Sequence, residues 1–406
     1  MQKALIILAS LLAGLFAGIA AQNAPMAISD TAKIIGTLWL NALRVTVLPL
    51  VIALLITGIM QTAKVASAGK FAAQSVAVML ALLCLSSLFG AVMVSALLDL
   101  FPVPAAASAA LNQALGATDA VPEIPPFQDF LENLVPSNIF SAAAEGAMLP
   151  VILFTMALAF AMIRLPEDQR RSLADFFASL GNAMIMIVGW ILYIAPLGVF
   201  ALAFTLGQNS GSAVLGGLAH YVGILVSTGF VIWLGALVLA RIGAGIGPGY
   251  FLRASIPAQS VALSTQSSLA TLPAMLAALD EMKVRRDISE IVLPIAVAIF
   301  RVTSPAFNLG VALYIAHWMG MELSGWQLAI GVVVASITTL SSVSLPGTVS
   351  FIGSIAPICL AMGLPIAPLG LLVAIETFPD IMRTLANVTT NMALTATIDR
   401  QLTERT

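Results

Sequence analysis

The chain is short of charge, of cysteine and of histidine. Only 9% of its 406 residues are Asp, Glu, Lys or Arg, where a soluble domain carries roughly 25%. A surface that poor in charge excludes a water-soluble protein of this size. The net charge of −2 offers no basic footprint for nucleic acid, and no nucleic-acid partner is expected. Cys84 and Cys359 both lie in apolar stretches, so no disulfide framework is implied. His220 and His317 are the only histidines, and no Cys/His cluster has metal-ligand spacing; neither a metal nor a cofactor is expected. No extramembrane domain or low-complexity segment is visible. What remains is apolar: 60% of the residues are hydrophobic and the mean hydropathy is +1.04. These values predict an all-α polytopic membrane protein embedded in a lipid bilayer.

In chain order, apolar runs at Ala4–Ala21, about Ile34–Ile59, Phe71–Leu98, Ile139–Ile163, Phe176–Leu206 and Leu218–Ala240 predict spans. The small-residue end of the first run also fits a signal-peptide cleavage site. The spans that follow need an inserted first helix, and a membrane helix is the expectation. Between the third and fourth spans, Asp99–Pro136 is a Pro/Ala-rich, acidic connection without Lys or Arg.

Positive charge then orders the connections. Lys3, Lys64, Lys70, Arg164, Arg170, Arg171, Arg241, Arg253, Lys283, Arg285, Arg286, Arg400 and Arg405 fall on one side if alternate connections face the cytoplasm. Both termini are then cytoplasmic. Lys33 alone is outside, and Arg44, Arg301 and Arg383 are left inside apolar segments. The pattern holds only if two apolar stretches do not cross. One, Ile256–Leu279, has basic residues on both flanks and a polar tip, LSTQSSLATLP (Leu263–Pro273). The other, Trp326–Pro368, is interrupted by TTLSSVSLPGTVS (Thr338–Ser350). Both read as re-entrant helical hairpins, which survive at membrane depth only inside protein or against a cavity. Between them, Ile288–Ala316 is a span with Arg301, Thr303, Ser304, Pro305 and Asn308 at its middle, and Pro305 is expected to unwind or kink it.

A hairpin followed by a polar-centred span therefore occurs twice, entered from opposite sides. The last of these spans, Gly370–Ile398, carries Glu376, Asp380, Arg383, Asn387 and Asn391. Their spacing puts all five on one helical face. An ionised side chain near a bilayer centre costs at least about 2.5–3.5 kcal/mol, so this stripe needs partners or a task. Inverted, interrupted repeats mark a secondary transporter with its site at the midplane. Helix N-termini at the hairpin tips offer N–H groups to an anion, so the substrate is expected to carry a carboxylate.

Several long, ordered runs carry a resemblance: RVTVLPLVIALLITGI (Arg44–Ile59), VPSNIFSAAAEGAMLPVI (Val135–Ile152), YIAPLGVFAL (Tyr193–Leu202), STQSSLATLP (Ser264–Pro273), VSLPGTV (Val343–Val349) and DIMRTLANVT (Asp380–Thr389). Over nearly its whole length the chain resembles the glutamate/aspartate transporters of the dicarboxylate/amino acid:cation symporter family. The resemblance implies eight transmembrane helices, two hairpins, a homotrimer and an elevator-like motion. It implies a scaffold of helices 1–4 in 1–175, with helix 5 in 176–217. A transport domain then follows in 218–406, joined by helix 3 (about 71–98) and helix 6. Within it lie hairpin 1 (about 256–279), helix 7 (288–316), hairpin 2 (326–368) and helix 8 (369–398).

The resemblance assigns Asp380 to a substrate ammonium and Arg383 to a side-chain carboxylate, with Thr384 and Asn387 as further contacts. An aspartate facing an ammonium and a guanidinium forking a carboxylate suit an amino dicarboxylate. Ser267 and Ser268 at the first tip, and Leu345, Pro346 and Gly347 at the second, match groups that hold the main-chain carboxylate. Ser304, in the unwound stretch, joins the substrate-binding set. The alternative is that Asp380 and Arg383 merely neutralise each other.

The chain also departs from the family. An Asn-Met-Asp-Gly-Thr run, which helps hold sodium in family members, falls on Phe300-Arg301-Val302-Thr303-Ser304, so a sodium-binding aspartate is Val302 here. A second falls on Asn391, and an arginine common at the first tip falls on Gln266. Glu376 and Asp380 then stand against Arg301 and Arg383, a formal balance of zero against −2 in the family pattern. Sodium needs hard oxygen ligands, which valine lacks. Arg301 is therefore expected to act as a tethered cation in a sodium-independent carrier. An ordinary ion pair of Arg301 with Glu376 or Asp380 is the alternative. A proton is the candidate driving ion, with Glu376 first and Asp380 second as its carrier; exchange is equally compatible.

Arg44 fits an interfacial or subunit-contact residue as well as a pathway one, and His317 beside Trp318 an interfacial anchor as well as a proton relay. The second tip has Ser344 and Val349 at positions where the family carries glycine. An enzyme would need a nucleophile/base pair that the serine-rich tips lack. A sodium-coupled symporter of aspartate or glutamate is the alternative carrier, an anion channel and a non-transporting solute sensor are the competing classes, and the location expected is the plasma membrane, as a bacterial inner-membrane protein.

Overall fold

The computed structural model describes residues 2–21, 26–67, 70–114, 135–210, 213–340 and 347–403. Among them the only regular secondary structure is helix. The first group comprises α1 (Gln2–Ala20), α2 (Met26–Ala66), α3 (Lys70–Leu100), α4 (Ala105–Ala114), α5 (Ile139–Ala144), α6 (Met148–Ile163), α7 (Glu167–Tyr193) and α8 (Ala195–Ser210). There follow α9 (Ala213–Ile242), α10 (Pro248–Thr265), α11 (Leu272–Glu281), α12 (Arg286–Ile299) and α13 (Thr303–Trp318). The chain closes with α14 (Gly325–Thr339), α15 (Gly347–Ala361), α16 (Leu369–Leu372) and α17 (Thr377–Thr403). Five helical stretches among the described residues are long and apolar enough to cross a bilayer. Helix is the expected solution, because every backbone group at that depth must find its partner within the chain.

Small residues set the closest approaches. Gly14 and Gly18 on α1 face the carbonyls of Phe200 and Phe204 on α8, where any side chain would collide with backbone. This spacing of small residues is the usual device for bringing membrane helices into contact. Gly90 on α3 plays the same part against α13: a Cβ there would lie 2.5 Å from Ala306 Cα. Overpacking such a crossing costs about 1–3 kcal/mol. Gly90→Leu is therefore expected to lower the thermal unfolding temperature of the detergent-solubilised protein, and an unchanged temperature would contradict the packing described.

The first interrupted stretch is a helical hairpin; of the second, the two flanking helices are described and pack together, while 341–346 lie outside the described residues. In the first, α10 and α11 pack against each other and against α17. The turn passes through Gln266, which is left-handed at φ 52°. The base is closed by Tyr250 Oη donating to Glu281 O at 2.6 Å. In the second, α14 packs on α15, and Gln327 Nε2 donates to Met362 O at 2.9 Å across the base. Ser324 and Gln327 form a reciprocal capping box that starts α14. Beyond the membrane-spanning segments, Arg285 Nε donates to Asp399 Oδ1 at 2.7 Å, tying α12 to the end of α17. Hydrogen bonds from Arg286 hold the Asp280 carboxyl below the usual carboxylate range.

Several predicted spans are subdivided. The stretch 139–163 is α5 and α6 around Gly146, whose φ of +76° favours glycine. The stretch 176–206 is α7 and α8: α7 begins after Pro166, and Pro196, in the first turn of α8, cannot continue α7 because it lacks an N–H. The acidic connection contains α4, held by Trp318 Nε1 donating to Ala107 O at 2.9 Å. The polar-centred span breaks earlier than Pro305 led one to expect. α12 stops at Ile299 and Pro305 sits in the first turn of α13, where a missing N–H costs little. The break itself is Phe300–Val302, fastened by Ser86 Oγ of α3 donating to Val302 O.

Candidate functional site

The site is built on the start of α17. Glu376 is the last residue before the helix, and its carbonyl accepts from Asp380 N at 2.9 Å, so the helical ladder runs through it. The polar stripe therefore stays on one face although the span is divided into α16 and α17. Glu376 and Arg383 are 2% and 6% exposed. Arg383 Nη2 lies 2.9 Å from Glu376 Oε1, out of line for a directed hydrogen bond. Close charges in so dry a place attract strongly whatever the angle. Tyr221 Oη, from α9, donates to Glu376 Oε2 at 3.2 Å, and the guanidinium carbon lies 5.1 Å from the centre of the Phe307 ring on α13. Arg383 thus pairs with Glu376, two turns away, and not with Asp380.

Asp380 and Arg301 are each only partly buried. The Asp380 carboxylate lies within electrostatic reach of both Arg383 and Arg301. Among the described residues, neither the Asp380 carboxylate nor the Arg301 guanidinium has an ion-pair or hydrogen-bond partner. An unpaired carboxylate and an unpaired guanidinium thus lie within electrostatic reach of each other near the α12–α13 break, beside the closed Glu376–Arg383 pair. Val302, next to Arg301, is 8% exposed and packs in an apolar cluster with Met79, Leu83, Val292 and Phe300.

One turn along α17, Asn387 Oδ1 accepts from Thr303 N and Thr303 Oγ1, each at 3.0 Å. This couples α17 to the first residue of α13. Thr384 is buried beside it, as is Asn391, 1% exposed, whose Oδ1 has no partner among the described residues. Ser304 is buried in the first turn of α13. At the first hairpin tip, Ser267 Oγ accepts from Ala270 N at 3.2 Å and shapes the turn, while Ser268 is half-buried. Leu345 and Pro346 lie outside the described residues, and Gly347 opens α15. Arg44 is exposed on α2; His317 is exposed on α13, its Nδ1 3.0 Å from Leu313 O.

Three members of the cluster escaped the sequence reading. Tyr221 and Phe307 are aromatic residues in apolar helices, and Ser86 is one hydroxyl within a span. Only their tertiary neighbours distinguish them from residues that face lipid or core.

Comparison with known proteins adds an independent line, from sequence alone. The profile described as the sodium:dicarboxylate symporter family matches residues 4–401. The chain is 26% identical to the proton/glutamate-aspartate symporter of Escherichia coli (strain K12) over 365 residues, 88% of this chain and 82% of that protein. It is 30% identical to the proton/sodium-glutamate symport protein of Bacillus subtilis (strain 168) over 267 residues, 66% of this chain and 61% of that one. It is 31% identical to C4-dicarboxylate transport protein 1 of Pseudomonas aeruginosa (strain UCBPP-PA14) over 282 residues, 67% of this chain and 60% of that one. The last two alignments thus span less than two thirds of those relatives' length. These relatives are transporters, not enzymes. An all-helical membrane fold with paired hairpins, a charged cluster between a broken helix and its polar neighbour, and a profile match across almost the whole chain lead to one assignment: the chain belongs to the sodium:dicarboxylate symporter family.

Proposed function

We propose that this protein is a secondary transporter of a small acidic amino acid or dicarboxylate that works without sodium, with Arg301 standing where family members place a bound cation. The observation that carries the reading is the Arg301 guanidinium, without a partner among the described residues and within electrostatic reach of the equally unpaired Asp380 carboxylate, with Val302 packed among apolar side chains. A permanent cation beside Asp380 leaves little electrostatic reason for a sodium ion there, and valine offers it no oxygen. Asp380 then receives a substrate ammonium. Arg383 receives a carboxylate, released in part from Glu376. Thr384, Asn387, Ser304, the Ser267–Ser268 tip and the Leu345–Gly347 tip complete the site. Glu376 is the first candidate proton carrier and Asp380 the second. The names of the relatives, a proton/glutamate-aspartate symporter and C4-dicarboxylate transporters, support both the substrate class and the proton.

The proposal includes the family's architecture: a homotrimer in a bacterial inner membrane with cytoplasmic termini, a scaffold in 1–217, and a transport domain of helix 3 and 218–406 moving as an elevator. In proteoliposomes, uptake of labelled L-aspartate and succinate is expected to follow an imposed inward proton gradient. Replacing external sodium by potassium is expected to leave the rate within about twofold. Dependence on a sodium gradient would sink the role given to Arg301. Uptake indifferent to the pH gradient but active in counterflow would replace proton coupling by exchange.

A further inference from the structure

We infer that Thr303 is a specificity-determining positioning residue: it turns Asn387 into a contact that only donates. This rests on the reading of Asn387 as a substrate contact. A backbone N–H can only donate, so the Asn387 atom 3.0 Å from Thr303 N must be the carbonyl oxygen. The Thr303 hydroxyl donates to the same oxygen at 3.0 Å. Both acceptor sites of the amide are thereby filled from α13. Its Nδ2 amino group, which has no partner among the described residues, is the part left for a ligand. The site then presents guanidinium donors from Arg383 and an amide donor from Asn387. Asp380 is the acceptor among them. Such an arrangement reads carboxylate oxygens at Asn387 and rejects an ammonium there, so one orientation of an amino dicarboxylate is selected.

The residue type matters. A glycine at this position, as in the family pattern, keeps the N–H but has no hydroxyl, and one hydrogen bond alone leaves the amide freer to rotate. Thr303 Oγ1 also lies 3.4 Å from Arg383 O, which places the hydroxyl between consecutive turns of α17. The α13 end is in turn immobilised by Ser86 on the Val302 carbonyl. The amide is thus fixed from a different helix from its own, and the break in the α12–α13 span is what brings the two together.

The test is a double-substitution cycle read by competition against labelled L-aspartate uptake in proteoliposomes, with succinate and L-asparagine as competitors. Thr303→Val is expected to weaken L-aspartate and succinate roughly three- to tenfold, the share of one hydrogen bond, and Thr303→Ser to restore them within about twofold. In an Asn387→Ala background Thr303→Val is expected to change little, because the amide it positions is gone. Equal effects in both backgrounds would show Thr303 to be merely structural and overturn the inference. Should Thr303→Val fail to insert, Asn387→Asp carries the test. It keeps an oxygen for Thr303 but places a second oxygen toward the ligand. L-aspartate should then weaken by about a hundredfold and L-asparagine, with its amide donor, should gain on it. Unchanged preference overturns the inference. A wild-type protein that transports neither L-aspartate nor succinate refutes the proposed function itself, and the inference falls with it.

Discussion

Arg383→Ala is expected to abolish measurable uptake of L-aspartate and succinate and to destabilise the protein at the same time. Two separate causes act. The guanidinium is the only cation within ion-pair distance of Glu376 among the described residues, at 2.9 Å, and its removal leaves a carboxylate that is 2% exposed facing only the Tyr221 hydroxyl. Stranding one member of a buried pair costs about 3–5 kcal/mol, less whatever is recovered when the carboxylate takes up a proton. Recognition is lost independently, because truncating one partner of a buried, hydrogen-bonded charge pair costs about 2–5 kcal/mol, or between thirtyfold and several thousandfold in affinity. A second substitution separates the two. Glu376→Gln in the Arg383→Ala background removes the stranded charge, so thermal stability should return toward that of the wild type while uptake stays absent. If uptake returned together with stability, Arg383 would be a structural residue and the substrate carboxylate would have to be held elsewhere, with Arg301 the remaining cation in the site.

That pairing shows how far the amino-acid sequence carries and where it stops. The stripe Glu376–Asn391 is legible because helical spacing places all five residues on one face whether or not the helix is continuous, and the backbone bond from Asp380 N to Glu376 O preserves that face through the turn. The first hairpin is legible because Arg253 and Lys283 flank an apolar stretch with a polar tip, and the second because a Ser/Thr-rich, Pro-containing run interrupts an apolar stretch of the same kind. Spacing alone leaves the partner of Arg383 open: Asp380 is one turn away and Glu376 two. The choice falls to Glu376 because Tyr221, 155 residues distant in sequence, holds its other oxygen. The break before α13 is similar. Pro305 correctly marks a disturbed helix, but a proline is comfortable in a first turn. The residue that fixes the break is Ser86, 216 positions away, through the Val302 carbonyl. Contacts of that range leave no periodic trace. The subdivision of spans has a local cause, since Gly146 and Pro196 punctuate otherwise largely apolar runs.

The same separation of local from tertiary information bears on Arg301, whose number of charges can be counted from the sequence but whose freedom cannot. Glu376 and Asp380 balance Arg301 and Arg383, and the structure divides the four into a closed pair and an open one. Arg301→Met breaks the balance, leaving Asp380 without the cation opposite it and the site at a formal −1. Uptake without sodium is expected to fall at least about tenfold, because an uncompensated charge at membrane depth costs upwards of about 2.5 kcal/mol. Adding Val302→Asp to Arg301→Met brings the formal charge to −2 and supplies the hard oxygen that valine lacks. The double variant is expected to regain uptake in sodium chloride and not in choline chloride, a difference of at least about tenfold. Val302→Asp alone, with Arg301 present, should instead form an ion pair beside Asp380 and transport poorly in either salt. Residue 302 packs among Met79, Leu83, Val292 and Phe300, so the new carboxylate needs the space vacated by the arginine, and Met79→Thr is the companion change that would give it a polar neighbour. If the double variant stays sodium-indifferent with that companion in place while remaining folded and able to bind substrate, a single cation swap does not separate this chain from sodium-coupled carriers. The guanidinium would then be a substrate ligand rather than a built-in ion, and Arg301→Met would show itself as a loss of affinity for the dicarboxylate with no change in its dependence on salt.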